Sequence, residues 1–183
     1  TVKWTFGAHG IKSSRPLPVD MTNESEASLM PDIDHALMTP PSLRIAHEYP
    51  FAGNTAYVWD FRVAQPNVSH LAMPVIHSIE HFLGSSLPAA SSKVINVAPM
   101  GCQTGFYIVA IGLSEFDEIS DLVAASLQLI LDAREVPLAN PGQCGWAENH
   151  SLAGAKHLTG WLLSRRGEWS DSAVGTDGVR IPA

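Results

Sequence analysis

His77-Ser78-Ile79-Glu80-His81 places two imidazoles and a carboxylate within five residues. If the stretch is helical, histidines four apart lie about one turn apart, and both can turn toward a single metal ion. Glu80, three residues after His77, falls on the same side, where a carboxylate can act as general acid or base beside the metal. The order H-x-x-E-H also occurs in inverzincin peptidases. The pentapeptide therefore specifies a metal site and leaves the reaction open.

Cys144 offers a third donor. Two imidazoles and a thiolate leave one position of a tetrahedral ion free, the layout of a catalytic site. A structural site wants four protein ligands, and Cys102 is the residue available as the fourth. Cys102 also has a second reading, because Pro99-Met100-Gly101 and Gln103-Thr104-Gly105 surround it with turn-forming residues. Such neighbours suit an exposed nucleophilic or acid/base thiol. Near a metal or an arginine its pKa can fall toward neutrality, the range where proton transfer works best, and Arg62 is a candidate partner. In the plainer alternative the histidines are ordinary helix residues and both cysteines small core hydrophobes. Arg62 would then be an exposed strand arginine. The motif beside two loop cysteines favours the metal site.

The elements that must hold these groups are readable in outline. Residues 43–47 suggest a short strand. Residues 57–63, rich in β-branched and aromatic side chains and bounded by Gly53-Asn54 and Pro66-Asn67, suggest a stronger one. Pro74 suits the first turn of a helix, whose apolar stripe Ile76, Ile79, Leu83 and Leu87 runs until Pro88. His77, Glu80 and His81 lie together off that stripe. Residues 93–97 and 106–111 read as further strands flanking the turn that carries Cys102. Ser114 with Asp117 resembles a capping pair, opening a helix with Phe116, Ile119, Val123, Leu127, Ile130 and Leu131 inward. A last helix carries Leu152, Ala155, Leu158, Leu162 and Leu163 and ends near Gly167. Strands and helices without regular alternation predict an α+β domain, helices packed on a largely antiparallel sheet. The expected organisation is a flexible extension over 1–29, one catalytic domain over 30–169 and a mobile tail over 170–183.

Bulk properties narrow the function. The 183 residues allow one domain with a sizeable core, and 45% hydrophobic with 16% charged residues suits a folded chain. Lys and Arg number 11 against 18 acidic residues, a formal charge of −7 with no dense basic run, which argues against nucleic-acid binding. No apolar run approaches the roughly 20 residues that span a bilayer. Two cysteines beside a metal motif point to thiolate chemistry in a reducing compartment rather than a disulfide, hence a cytoplasmic protein.

Several motifs together resemble the S-ribosylhomocysteine lyase (LuxS) family. They are His77 to His81, residues 97–107 (Val-Ala-Pro-Met-Gly-Cys-Gln-Thr-Gly-Phe-Tyr) and Gln143-Cys144-Gly145. Asp34-His35, Asp60-Phe61-Arg62, Gln65-Pro66-Asn67, His150-Ser151-Leu152 and Gly154-Ala155-Lys156 match in the same order, covering roughly residues 32–166. The resemblance implies a LuxS-like fold and one divalent metal per subunit on His77, His81 and Cys144: iron(II) natively, zinc or cobalt in preparations. It implies Glu80 and Cys102 as the general acid/base pair. Arg62 would lie beside the catalytic thiol, with His35, Asn96 and Gly145 completing the substrate pocket. It further implies a homodimer with active sites at the interface, releasing homocysteine and the autoinducer-2 precursor 4,5-dihydroxy-2,3-pentanedione from the small-molecule substrate S-ribosylhomocysteine.

Three positions depart from the family's pattern: Asn96 where an acid is usual, Ala98 where a serine is usual, and Met30 in place of a pocket serine. Two other readings follow from the residues. An inverzincin-type zinc peptidase would use Glu80 to activate water and Glu148 as third ligand. A divergent relative would bind metal or ligand without catalysis, or take an altered substrate.

Overall fold

The computed structural model describes residues 34–170. The extension expected over 1–29, Met30, and residues 171–183 of the expected tail lie outside the described residues.

Strand β1 (Ser42–Phe51) turns into β2 (Asn54–Arg62) through Ala52 and Gly53. Both have positive φ, 48° and 78°, as the commonest two-residue hairpin turn demands. β3 (Val94–Pro99) and β4 (Gly105–Ile111) form a second hairpin. The four strands assemble in the order β1-β2-β4-β3, every neighbouring pair antiparallel. Three helices complete the domain: α1 (Met73–Ala90), α2 (Phe116–Asp132) and α3 (Leu152–Ser164). α1 lies on β3 and touches both other helices; α2 reaches β1 and packs on α3. This is the expected α+β architecture.

Helical spacing works as anticipated in α1, where Ile76, Ile79, Leu83 and Leu87 are all fully buried. At roughly 1.5–3 kcal/mol for each fully buried aliphatic side chain, this stripe fixes the rotation of the helix and hence the direction of His77 and His81. The helix runs past Pro88 to Ala90. A proline so close to the end forfeits one backbone bond, and Ser91 N–H still closes the last turn on the Leu87 carbonyl. Ser114 does not cap α2: its hydroxyl donates to Glu115 Oε1, and the N-cap is Glu115, without a side-chain bond. Asp117 and Glu118 in the first turn favour the helix dipole instead.

β2 is buried on both faces at its end. Successive strand residues point to opposite sides, so Trp59 and Phe61 enter the apolar core while the ionic Asp60 and Arg62 bury opposite them. Trp169, which apolar periodicity passes over, closes the core from beyond α3. It is fully buried, stands edge-on to Phe61 at 5.2 Å, and its carbonyl accepts from Leu43 N–H. Among the described residues no helix is long and apolar enough to cross a membrane.

Candidate functional site

The rotation of α1 aims His77 and His81 at the loop that joins α2 to α3. His77 Nδ1 lies 2.9 Å from the Asn149 carbonyl, and His81 Nδ1 lies 2.7 Å from that of Pro137. Cys144 is carried on the same loop. Asn140 shapes it: its carbonyl accepts from Gln143 and Cys144 N–H, and its side-chain oxygen accepts from Gly142 N–H at 3.1 Å. Cys144 Sγ comes within 3.5 Å of His77 Nε2 and accepts from Trp146 N–H at 3.4 Å. The close fit of α3 against α1 at this end needs Gly154, because a Cβ there would stand 2.6 Å from Val75 Cγ2.

A fourth donor joins these three. His150 stacks on His77 with ring centroids 4.0 Å apart, and its Nε2 lies 3.6 Å from Cys144 Sγ. One ligand atom from each of His77, His81, Cys144 and His150 falls within 4.8 Å of the others. A carbonyl only accepts hydrogen bonds, so His77 and His81 donate from Nδ1 and turn Nε2 inward. Burial first, then His77 and His81 nearby, hold His150 below the ordinary histidine range. Imidazoles and a sulfur, with ring orientation fixed by carbonyls behind His77 and His81, are a donor set that fits a divalent transition metal. Glu80 stands beside the group, Oε2 3.9 Å from His81 Nε2. Glu148, the carboxylate a peptidase would use, is exposed and outside it.

Cys102 occupies a different setting. It is exposed, in the turn between β3 and β4 where Gln103 takes φ 61°. That left-handed residue lets Cys102 and Thr104 face the same way, Sγ to Oγ1 3.0 Å. Arg62 Nη1 donates to Thr104 Oγ1 at 2.6 Å and approaches Cys102 Sγ at 3.8 Å. With its oxygen occupied as an acceptor, the Thr104 hydroxyl has its proton free for the sulfur. Desolvation pushes the Cys102 thiol up. The Thr104 hydroxyl and amide, the Arg62 charge and its own amide outweigh that, and the net shift is downward. Arg62 is itself 2% exposed and held by Asp60 through Nε at 3.1 Å and Nη2 at 2.7 Å. Arg44 donates to the same carboxylate at 3.0 Å. Gly105 permits this crowding: a Cβ there would lie 2.4 Å from the Phe61 carbonyl oxygen.

Cys102 and Thr104 line a cavity of about 550 Å³ with His35, Asn67, Ser69 and His70. His35 sits in a short 3-10 turn, His35–Leu37, capped by Asp34. None of the four metal-type donors lines that cavity, nor do Asn96 and Gly145, both exposed. Arg62 backs it from behind Thr104. Sequence reasoning passed over Asp60 and Thr104 as supports and His150 as a donor. A signal existed for each: an acid two residues from Arg62 on one strand face, a hydroxyl two residues from Cys102, and a histidine six residues past Cys144.

With that geometry in view, comparison with known proteins is informative. Residues 30–173 match the family described as S-ribosylhomocysteinase (LuxS). Curated relatives include the S-ribosylhomocysteine lyase of Listeria monocytogenes, 41% identical over 141 residues, spanning 76% of this chain and 91% of the relative. Those of Staphylococcus saprophyticus and Staphylococcus aureus are 38% and 41% identical, again over 76% of this chain and 90% of theirs.

Proposed function

The chain belongs to the S-ribosylhomocysteinase (LuxS) family, and from that premise we propose how its own residues act. It is a carbon–sulfur lyase that cleaves S-ribosylhomocysteine to homocysteine and 4,5-dihydroxy-2,3-pentanedione, the precursor of a quorum-sensing signal. The observation that carries this reading is the convergence of His77, His81 and Cys144 donor atoms next to Glu80.

The substrate's thioether sits on the terminal ribose carbon. It becomes a leaving group only when a carbonyl lies two carbons away, acidifying the hydrogen between. Two successive shifts move the carbonyl inward from the first carbon, and β-elimination then expels homocysteine thiolate. Each shift takes a proton from one carbon and delivers it to the neighbouring carbonyl carbon, while a proton moves between the two oxygens in the same direction. Cys102, exposed and with its pKa lowered, is the carbon acid/base. Glu80 relays protons among the oxygens and protonates the departing sulfur. His77, His81 and Cys144 would hold the divalent metal, which when bound supplies Lewis-acid polarisation of the migrating carbonyl. We take iron(II) as the native ion, with zinc or cobalt as replacements; imidazole and thiolate donors suit all three. His35 lines the cavity and would contact the sugar, with Arg62 acting behind Thr104; Asn96 and Gly145 lie outside that cavity and would reach the sugar only where a second copy completes the site. Two free thiols fit a reducing cytoplasm.

The working unit in this reading is a homodimer. None of His77, His81, Cys144 and His150 lines the cavity beside Cys102, so each chain offers two half-sites. Apolar residues stand exposed at both: Val68 at 80% and Leu37 at 45% by the cavity, Trp146 at 65% beside Cys144. Such exposure suits a covered surface. Cys102 of one copy would then serve the metal group of the other.

The direct test is to incubate reduced, metal-loaded protein with S-ribosylhomocysteine and follow thiol release; no release would sink the assignment. Subunit sharing has its own test. Cys102→Ala and Cys144→Ala chains, each inactive, should regain roughly a quarter of wild-type activity when mixed and reassorted, because half of the dimers hold one intact composite site. No recovery in reassorted dimers would count against sharing.

A further inference from the structure

We propose that His70 is a specificity-determining residue that hydrogen-bonds the sugar end of the substrate in the Cys102 cavity. The inference rests on the reading of the chain as a lyase acting on S-ribosylhomocysteine. It adds which end of that molecule the cavity takes, and a side chain that takes it.

Backbone ties place His70 beside the thiol. The loop between β2 and α1 is strapped at both ends to the turn that carries Cys102. Val63 and Ala64 N–H donate to the Thr104 carbonyl at 2.9 and 3.0 Å, and Leu71 N–H donates to the Gln103 carbonyl at 2.9 Å. Inside the loop Asn67 takes φ 61°, and Ser69 N–H closes on the Gln65 carbonyl at 2.9 Å. Residue 70 lies between the ties of Ser69 and Leu71, so the loop cannot settle on the turn without bringing His70 to the cavity. Gln65 also reaches the 3-10 turn opposite, its Nε2 donating to the His35 carbonyl at 3.5 Å. The two histidines thereby line one cavity with Cys102.

The lining groups have hydrogen-bonding capacity to spare. Among the described residues no hydrogen bond engages the rings of His35 and His70, the Asn67 amide or the Ser69 hydroxyl. Fixed charge is what the wall lacks. No carboxylate, lysine or arginine lines it. Arg62 is 2% exposed, with Nε and Nη2 held by Asp60 and Nη1 by Thr104.

That inventory selects a ligand chemistry. Amide, hydroxyl and imidazole side chains can each donate and accept, as the hydroxyls of a sugar do. The amino-acid end of the substrate carries a carboxylate and an ammonium, whose strong partners are groups of opposite charge. Cys102 must reach ribosyl carbons, so the hydroxyls on those carbons fall to the residues around it. A site built to hydrogen-bond hydroxyls discriminates against analogues without them. The competing role for His70 is a solvated loop residue that never meets the substrate.

Steady-state thiol release by metal-loaded protein separates the two. His70→Ala should raise KM for S-ribosylhomocysteine by roughly 3–10-fold, the worth of one hydrogen bond, with kcat and metal content little changed. His70→Gln, which keeps a donor and an acceptor, should recover most of that loss. Two competitive inhibitors then identify the end that is held, since 5-methylthioribose carries the sugar with a thioether and methionine the amino acid with a thioether. The inhibition constant of 5-methylthioribose should rise in His70→Ala by the same factor as KM, and that of methionine should stay put. A KM within twofold of wild type, a loss in kcat alone, equal weakening of both inhibitors, or His70→Gln no better than His70→Ala would each overturn the proposal and leave the lyase standing. A wild-type protein that releases no thiol would overturn the lyase reading itself, and this inference with it.

Discussion

Cys144 is buried among imidazole nitrogens on a loop pinned to α1, whereas Cys102 stands exposed in a turn beside a hydroxyl and a guanidinium. Each environment gives sulfur a different task. Around Cys144 the neighbouring side-chain atoms are the Nε2 nitrogens of His77 and His150, with the Trp146 N–H donating to the sulfur, a setting that suits a shared cation. Around Cys102 every neighbour is a hydrogen-bond donor, which stabilises the thiolate without tying it up and leaves it free to exchange protons. In the proposed function the same element serves as a ligand in one place and as an acid/base in the other, because of what the fold sets opposite it.

The largest expected effects come from exchanging the two sulfurs' fates. Cys144→Ala should strip the metal, leaving metal content near zero after dialysis against a mild chelator, with thiol release lost as a consequence. Cys102→Ala should keep full metal content and lose activity by on the order of 10²–10⁴-fold. If Cys102→Ala lost metal, or if Cys144→Ala kept it, the division between ligand and acid/base would be wrong.

How much of this division was legible beforehand depends on the range of the contacts. The spacing of His77, Glu80 and His81 and the stripe behind them are local, and helical geometry alone puts them on one side. The elements were visible for the same reason, since period and turn residues are local signals. Cys144 and Cys102 could be singled out by type and neighbours. What surrounds them could not, because the decisive contacts join distant segments. The Asn149 carbonyl meets His77 across 72 positions, and Thr104 meets Arg62 across 42. Trp169 was hidden similarly: its partner Phe61 lies on a strand more than a hundred residues earlier. The misplaced cap at Ser114 has another cause. A serine before an acidic first turn satisfies the pattern equally well whether it caps the helix or bonds its neighbour Glu115.

Next in size is the support behind Cys102. Asp60 is 1% exposed and accepts from both Arg62 and Arg44. Asp60→Asn leaves two guanidinium groups sharing a neutral partner, one of them fully buried, and breaking such a pair costs about 3–5 kcal/mol. Urea denaturation should read that loss. No comparable cost is expected from Glu80→Gln, whose carboxylate is 30% exposed and near only a histidine. A smaller effect again is chemical selectivity. Iodoacetamide near neutral pH should alkylate Cys102 faster than Cys144, by on the order of tenfold or more in metal-loaded protein. Equal rates would erase the contrast between the two thiols.

The smallest change is the sharpest, because Thr104→Val removes one hydroxyl while conserving shape. The Thr104 hydroxyl is the largest of the effects that pull the Cys102 thiol down, ahead of the Arg62 charge. The reacting species is the thiolate, so alkylation rate rises with pH through the thiol's pKa and then levels. A lowered pKa puts that rise at lower pH than for an ordinary cysteine. Thr104→Val takes away the downward pull, so the midpoint must move up, and on the acid side of it the rate should fall by roughly tenfold, the worth of one hydrogen bond to a charged group. Above both midpoints the variant and the wild type should react alike, since both are then thiolates. Cys144, which Thr104 does not touch, should keep its own profile. A uniform loss at every pH would instead mean that the hydroxyl only positions the sulfur, and the Thr104 amide, the Arg62 charge and the Cys102 amide would have to account for its acidity.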